Sequence, residues 1–428
     1  MGLLRAAAAA FVACSLVQAL TPEQKQQNLE SFEYVWKTIR DKHWEKDPAG
    51  LNWQAVHDEL RPTIEKADTM EAARAVMSGM LARLHQSHFG IIPNDLYSQV
   101  DGGHSRTGES TTGLDVRVVN SQAVVTSVDP DSGASAAGVR PGWVIVKIAG
   151  ADLAPVLQKA VEAYKNSSTL DLMLRRTVMS RLEGKEGESI EIEFLDGKDQ
   201  PVTAKIVQGR PKGVLTRLGY LWPSHVWIET RRISNIGYIR FNMFLDPPHV
   251  MSAFGDAVAS CLKCDGFVID VRGNPGGLGV MAMGMAGWFI DKQDQRLGTL
   301  FMRDSTLKFV VFPRAQVFSG PLAILVDGSS ASTSEILAGG MKDLGRARIF
   351  GSRTAAAALP SFIEVLPNGD GFQYAIANYI SEGGKPLEGI GVTPDLETPI
   401  TRRALLDGKD PALDSAIDWI ESARKPTN

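Results

Sequence analysis

From residue 212 to residue 401, short apolar runs alternate with segments of helical spacing, and this rhythm restricts the fold more than any other feature of the chain. Gly237–Phe241, Gly266–Val271, Leu322–Asp327 and Ala347–Phe350 read as strands, and residues 248–262, 279–291 and 332–344 as helices between and after them. A strand–helix–strand succession argues for a parallel or mixed sheet covered by helices, an α/β core. A last helix near residues 411–424 packs on that core. Two or three domains of ordinary size fit 428 residues.

The segments ahead of the core follow other periods. Residues 21–92 read as helices. Thr21 caps the first, Pro22 takes its first position, and Leu29, Phe32, Trp36 and Ile39 recur at helical spacing. A second helix runs near Trp53–Lys66, with Pro62 as a kink or break. A third opens on Asp68 and Glu71 as a capping box and runs to His85-Gln86-Ser87-His88-Phe89-Gly90. Residues 101–112, rich in Gly, Ser and Thr, form a linker. From Thr112 the period becomes two: Leu114–Val118 and Ala123–Val128 pair as strands, and Ile190–Phe194 with Val202–Val207 close the unit. A charged helical insert occupies 154–187.

A formal net charge of −4, with no basic block, gives no sign of a nucleic-acid partner. Met1–Arg5 carries one positive charge, Ala6–Ala13 is apolar, and Val17-Gln18-Ala19 has the small-x-small form read by signal peptidase. Residues 1–19 are therefore expected to be a signal peptide, and the chain an exported, periplasmic or extracellular protein. The stretch is too short and diluted to span a bilayer, and lipid anchoring at Cys14 is disfavoured by its surroundings. Cys261 and Cys264 are too few for a zinc site and read as packing residues at a helix end, with a local disulfide as the lesser alternative. No metal or cofactor is expected.

Two strand-to-helix turns have the composition that acyl-transfer chemistry needs. Asp327-Gly328-Ser329-Ser330-Ala331-Ser332-Thr333-Ser334-Glu335 follows an apolar strand and enters a helix, where free N–H groups stabilise negative charge on a bound carbonyl. The same hydroxyls serve equally as caps and turn residues, and pattern alone does not choose among them. Asp270-Val271-Arg272-Gly273-Asn274-Pro275-Gly276-Gly277 exposes backbone N–H groups, as an oxyanion hole, an anion loop or a tight turn would.

These two turns, flanked by Gly237–Phe241 and by Leu387-Glu388-Gly389-Ile390-Gly391-Val392-Thr393-Pro394-Asp395, resemble the C-terminal processing, or tail-specific, serine peptidases. The Ser132–Gly150 segment resembles PDZ domains, with Gly133 and Trp143 departing from the usual Pro and Asp. The resemblance implies a crotonase-like (ClpP/crotonase) α/β peptidase core at 212–401, a PDZ domain at 105–211, an N-terminal helical segment at 20–104 and a C-terminal helix at 402–428. It implies Ser332 as nucleophile, with the amides of Thr333 and of Gly276 or Gly277 as oxyanion donors. Many members pair the serine with a lysine; here Ala357 stands at that position, and Lys342 lies about three helical turns from Ser332. The branch that includes the tricorn core and retinoid-binding relatives instead draws a Ser-His pair from the helical segment and a Glu from the C-terminal motif, which implies Ser87, His88 and Glu388. His88 would deprotonate Ser332 and reprotonate the leaving amine, with Glu388 and Ser87 orienting the imidazole. A histidine base predicts reactivity lost as pH falls through about 6 to 7.

His85 is the nearest competitor for the base. His43, His57, His104, His225 and His249 read as structural, and Glu335 as a first-turn carboxylate favoured by the helix dipole. A PDZ domain binds an extended chain by strand addition and holds its terminal carboxylate, here near Gly113 and Leu114. The expected partner is a polypeptide substrate, presented through its C-terminus. A non-catalytic hydrophobic-ligand or peptide-binding protein on the same fold is the alternative.

Overall fold

The computed structural model describes residues 20–94, 110–165, 167–221 and 223–423; the expected signal peptide, Cys14 and His104 lie outside the described residues. The N-terminal segment forms helices Pro22–Lys42, Trp53–Glu65 and Met70–Ala82. The first is capped reciprocally, Gln24 N–H donating to Thr21 Oγ1 and Thr21 N–H to Gln24 Oε1 (3.2 and 2.9 Å). The third is capped by Thr69, whose Oγ1 accepts the Ala72 N–H at 3.1 Å, rather than by Asp68, which pairs with Lys25. Pro62 does not break its helix, which continues to Glu65. It forfeits one N–H bond near the helix end, while buried Val56 and Ile64 anchor the helix on its neighbours.

Phe32, Val35, Ile39, Met77 and Leu81 pack together with Phe372 and Tyr374, which come from far along the chain. The short strand Gly90–Ile92 pairs antiparallel with Gly371–Ala375, and that strand with Ser361–Val365. The turn that carries His88 is thereby fixed to the C-terminal part of the molecule. None of these strands was read from the sequence, nor were Arg296–Phe301, Thr306–Val310 and Asn378–Ser381, which form a separate three-stranded sheet. Their short mixed runs acquire strand character only from their partners.

Residues 110–209 form an antiparallel sheet in the order Leu114–Val119, Gln122–Val128, Val144–Ile148, Ser189–Leu195, Pro201–Val207, closed by a bridge between Thr111 and Gly209. Helices Gly133–Ala136, Leu153–Tyr164 and Leu170–Met179 cover it. The core sheet runs Ile228–Ile233, Ile236–Phe241, Gly266–Asp270, Leu322–Val326, Arg348–Gly351, Leu396–Glu397, antiparallel at its first pair and parallel thereafter. Strand alternation decides its two faces. Phe267, Ile269, Leu322 and Ile324 face helices Pro247–Ala259, Gly279–Ala286 and Thr333–Asp343. Val268, Ala323 and Leu325 face the C-terminal helix Pro411–Ala423. The helix expected over 279–291 stops at Ala286; Gly287 caps it and lies so close to the Phe312 carbonyl, 1.7 Å from where a Cβ would sit, that only glycine fits there.

Cys261 and Cys264 are joined as a disulfide at the end of helix Pro247–Ala259, with Cα atoms 5.0 Å apart, so the lesser alternative is the one realised. Replacing both by serine should lower stability by about 2 kcal/mol, the value for so short a closed loop. Neither cysteine lines the cavity described below, so activity should not change; urea unfolding and turnover measured side by side check both expectations.

Candidate active site

Ser332 links strand Leu322–Val326 to helix Thr333–Asp343 and adopts φ 55° and ψ −116°, a left-handed backbone unusual for any residue but glycine. Such a conformation costs roughly 1–3 kcal/mol and needs its surroundings to impose it. The Ser332 N–H donates to the Ala357 carbonyl at 2.8 Å and to Glu335 Oε2 at 3.0 Å. The neighbouring hydroxyls are committed to the backbone: Ser330 Oγ to Val271 O, Thr333 Oγ1 to Gly277 O, Ser334 Oγ to Asn274 O, at 2.8, 2.7 and 2.9 Å. Ser329 Oγ has no partner but is sealed inside. Among the described residues the Ser332 hydroxyl donates to no acceptor, and Ser332 lines a cavity of about 2360 Å³. Packing thus separates hydroxyls that the sequence pattern left equivalent.

The glycine turn lies directly against the serine. A Cβ on Gly276, at φ 98°, would stand 2.8 Å from both Ser332 Cβ and Thr333 N, so only glycine permits this approach. The Gly276 N–H is already spent on Asn274 Oδ1 at 2.9 Å. The Gly277 and Thr333 amides have no partner among the described residues. Of the three residues expected to supply oxyanion donors, the geometry therefore leaves Gly277 and Thr333 available and Gly276 engaged. Asp327, at the end of the preceding strand, ties the two turns together: it accepts from Gly273 N, Ser329 N and Arg117 Nε at 2.9, 3.0 and 2.8 Å.

Across the same cavity stand Ser87, His88 and Glu388. Glu388 Oε1 accepts the Ser87 N–H at 2.7 Å, and Oε2 accepts the Ser87 hydroxyl at 2.8 Å and the Ala358 N–H at 3.0 Å. The Ser87 hydroxyl has one proton, and it points at the carboxylate. Its contact of 2.7 Å with His88 Nδ1 must then be a bond accepted from Nδ1–H. That fixes the tautomer and leaves the lone pair of Nε2 as the basic site. Burial holds the imidazole down to about 4, so it is neutral at ordinary pH, and burial pushes the Glu388 carboxyl up against the pull of its three donors. The acid-side loss expected from an ordinary histidine near pH 6 to 7 thus moves to lower pH. His88, like His85, has a positive φ (61° and 51°), but His85 is exposed and its ring joins no hydrogen bond among the described residues. No hydrogen bond joins His88 Nε2 to Ser332 Oγ in this form.

The support beneath the serine turn was not legible in the sequence. Glu335 is fully buried and is far more than a dipole-compatible carboxylate: it accepts from Thr354 Oγ1 (2.6 Å), Ala356 N (2.9 Å), Ala357 N (2.9 Å) and Ser332 N. Burial pushes it up to about 7 despite those donors. Ser-Thr-Ser-Glu is a capping-box pattern, which was the available signal. Ala357, at the position where a lysine was expected in relatives, hydrogen-bonds Ser332 through its carbonyl, and Lys342 is occupied by Thr393 O and Asp395. The Gly113 and Leu114 amides face the hydroxyls of Thr111 and Thr112, at 3.0 and 3.4 Å. Because Ser87 sits between Glu388 and the imidazole, Ser87→Ala should lower the turnover rate by roughly 10- to 100-fold with the substrate KM little changed, as steady-state kinetics on a peptide would show.

The family model for peptidase family S41 matches residues 235–398, and that for the tricorn protease C1 domain matches residues 24–82. The chain is 25% identical over 388 residues to a probable CtpA-like serine protease of Staphylococcus haemolyticus (strain JCSC1435), covering 89% of this chain and 66% of that protein. It is 26% identical over 395 residues to the chloroplastic C-terminal processing peptidase of Tetradesmus obliquus, covering 89% and 78%. Thus the chain spans just under two thirds of the length of the staphylococcal relative. Among solved structures, the photosystem II D1 C-terminal processing protease superposes with a TM-score of 0.58 at 22% identity, covering 92% of this chain and 99% of that one. Mature CPAF gives 0.62 at 14%, covering 94% and 97%, and the tricorn protease 0.52 at 18%, covering 94% and 37%. Fold, family models and relatives agree: residues 235–398 match peptidase family S41, and along its length the chain is similar to C-terminal processing peptidases.

Proposed function

We propose that the chain is a serine endopeptidase in which Ser332 is the nucleophile and His88 Nε2 the general base. The observation that carries this reading is the relay Glu388–Ser87–His88, which presents an unprotonated Nε2 in the cavity that also receives Ser332, the one hydroxyl of the serine turn that is free to donate and lines that cavity. Ser332 Oγ attacks the scissile carbonyl carbon as Nε2 takes its proton. The carbonyl oxygen becomes an anion facing the Gly277 and Thr333 amides. The imidazolium, supported by Ser87 and Glu388, gives that proton to the leaving amine, and the acyl-enzyme forms. Water then repeats the sequence, with His88 as its base, and Ser332 is released. The two side chains approach in the substrate complex, as catalytic hydrogen bonds commonly tighten there.

The antiparallel unit at 110–209 is read as a PDZ domain and the α/β core as crotonase-like. The cavity runs without interruption from Ser332 to Leu114, Asp115 and helix Leu170–Met179, which supports delivery of an extended polypeptide along the edge strand Leu114–Val119, its terminus near Gly113. The substrate class is an unfolded polypeptide or one with an exposed C-terminus. Export is proposed from the N-terminal sequence; no helix among the described residues is long and apolar enough to cross a membrane. Treatment with a fluorophosphonate probe followed by peptide mapping should place the adduct on Ser332. A folded protein that takes no label there, or takes it on Ser329, Ser330 or Ser334, disproves the reading.

A further inference from the structure

The turn that carries Ser87 and His88 holds two non-glycine residues at positive φ, and backbone like this persists only when something outside it fixes it. Glu388 anchors one end, through the Ser87 amide. The other anchor is a histidine with no place in the reaction. His43 caps the end of helix Pro22–Lys42 and is fully buried. Its Nδ1 accepts the Glu45 N–H at 3.0 Å, so the ring proton resides on Nε2, which lies 3.0 Å from Gln86 Oε1 and donates to it. The imidazole stacks on Trp44, ring centres 3.9 Å apart, and lies nearly parallel to Phe89 at 5.9 Å, the three rings forming one cluster in which Trp44 and Phe89 are 6.5 Å apart. Gln86 and Phe89 flank the Ser87-His88 pair on either side in sequence. The backbone around His43 is itself clamped from the core: the Arg303 guanidinium donates to the carbonyls of Arg40, His43 and Glu45 at 2.7, 2.8 and 3.2 Å.

Resting on the reading of His88 as the base, we propose that His43 is a positioning residue that fixes the turn Gln86–Phe89 and so the direction of His88 Nε2. Arg303 sets the His43 backbone, the His43 ring holds Gln86 by one hydrogen bond and Phe89 by stacking, and the turn between them is left one conformation. A static scaffold residue would affect folding alone; this arrangement acts on the geometry of the base.

The test measures the rate at which a fluorophosphonate labels Ser332 in wild type, His43→Phe, His43→Gln, Gln86→Leu, the His43→Phe/Gln86→Leu double variant and Ser332→Ala, alongside thermal unfolding. Phenylalanine keeps the stack and loses the hydrogen bond, and should slow labelling about ten-fold, the effect of one broken bond to a neutral partner. Gln86→Leu, at a half-buried site, should do the same, and the double variant should be no slower than either single one. Glutamine at 43 offers an N–H near the old Nε2 position and should recover most of the rate. Labelling within two-fold of wild type in folded His43→Phe overturns the proposal. If that variant does not fold, an unchanged rate in Gln86→Leu overturns it instead. A wild-type rate equal to that of Ser332→Ala defeats the peptidase reading and this inference together; a wild-type rate far above it with unaffected variants defeats the role of His43 alone.

Discussion

Replacing His88 by alanine is expected to lower the turnover rate by roughly ten-thousand- to million-fold, close to the loss from Ser332→Ala, with KM for an unfolded polypeptide nearly unchanged. The size follows from what the site lacks. Ala357 offers no amine, Lys342 is bound to Thr393 and Asp395, and His85 points its ring at no partner. Glu388 is engaged within the relay, its carboxylate accepting three donors from Ser87 and Ala358. The two losses should not add: a Ser332→Ala/His88→Ala protein should be no slower than either single variant, since in the proposed mechanism nucleophile and base work as one unit. A His88→Ala protein that keeps a tenth of wild-type turnover would remove the imidazole from the mechanism.

The second large effect belongs to Glu335. Its two oxygens receive four donors, which uses every lone-pair direction of an ionised carboxylate. Glutamine would turn an NH₂ either toward the Ser332 and Ala357 N–H groups or toward the Ala356 N–H and the Thr354 hydroxyl. Glu335→Gln is therefore expected to reduce turnover by about 100- to 1000-fold, because donors that hold the backbone of Ser332 and of its neighbours are left unpaired. Protonation should imitate the substitution. Since burial lifts this carboxyl to about 7, the wild-type rate should decline as pH falls through that value, and Glu335→Gln should lack the step. The sign for folding runs the same way: a carboxyl raised above its unfolded value favours the folded state at low pH and withdraws that support as pH rises through about 7. Activity and stability should thus respond to pH in opposite directions around this one group. Kinetics and urea unfolding on the same samples, between pH 5 and 9, would show it; a near-wild-type Glu335→Gln would contradict the role given to the cradle.

Much of this was legible in the chain before any coordinates, and the limit is instructive. The strands Gly266–Asp270 and Leu322–Val326 announce themselves because strands buried on both faces are apolar throughout. The turns after them stand out because close backbone approach demands glycine and small residues. Ser87, His88 and Glu388 were reached through resemblance, not spacing: nothing local brings residue 88 to residue 388. What sequence hid is what tertiary context creates. Glu335 has the composition of an ordinary first-turn carboxylate, and only burial plus the Thr354–Ala357 segment makes it a cradle. The strand Gly90–Ile92 has three residues and no alternation, and exists because Gly371–Ala375 lies beside it. His43 carries no motif, and its neighbours Gln86 and Phe89 become its partners only after the chain has folded back.

The pH dependence of Ser332 labelling by a fluorophosphonate, followed from pH 4 to 10 in wild type and in His88→Ala, tests the central claim most directly. A buried neutral imidazole predicts a plateau in wild type from about pH 8 upward, since His88 is already unprotonated there. The alanine variant should have no plateau and should climb about ten-fold per pH unit as hydroxide replaces the missing base. A wild-type rate that goes on climbing through pH 9, or identical profiles in the two proteins, would mean that the imidazole does not take the serine proton.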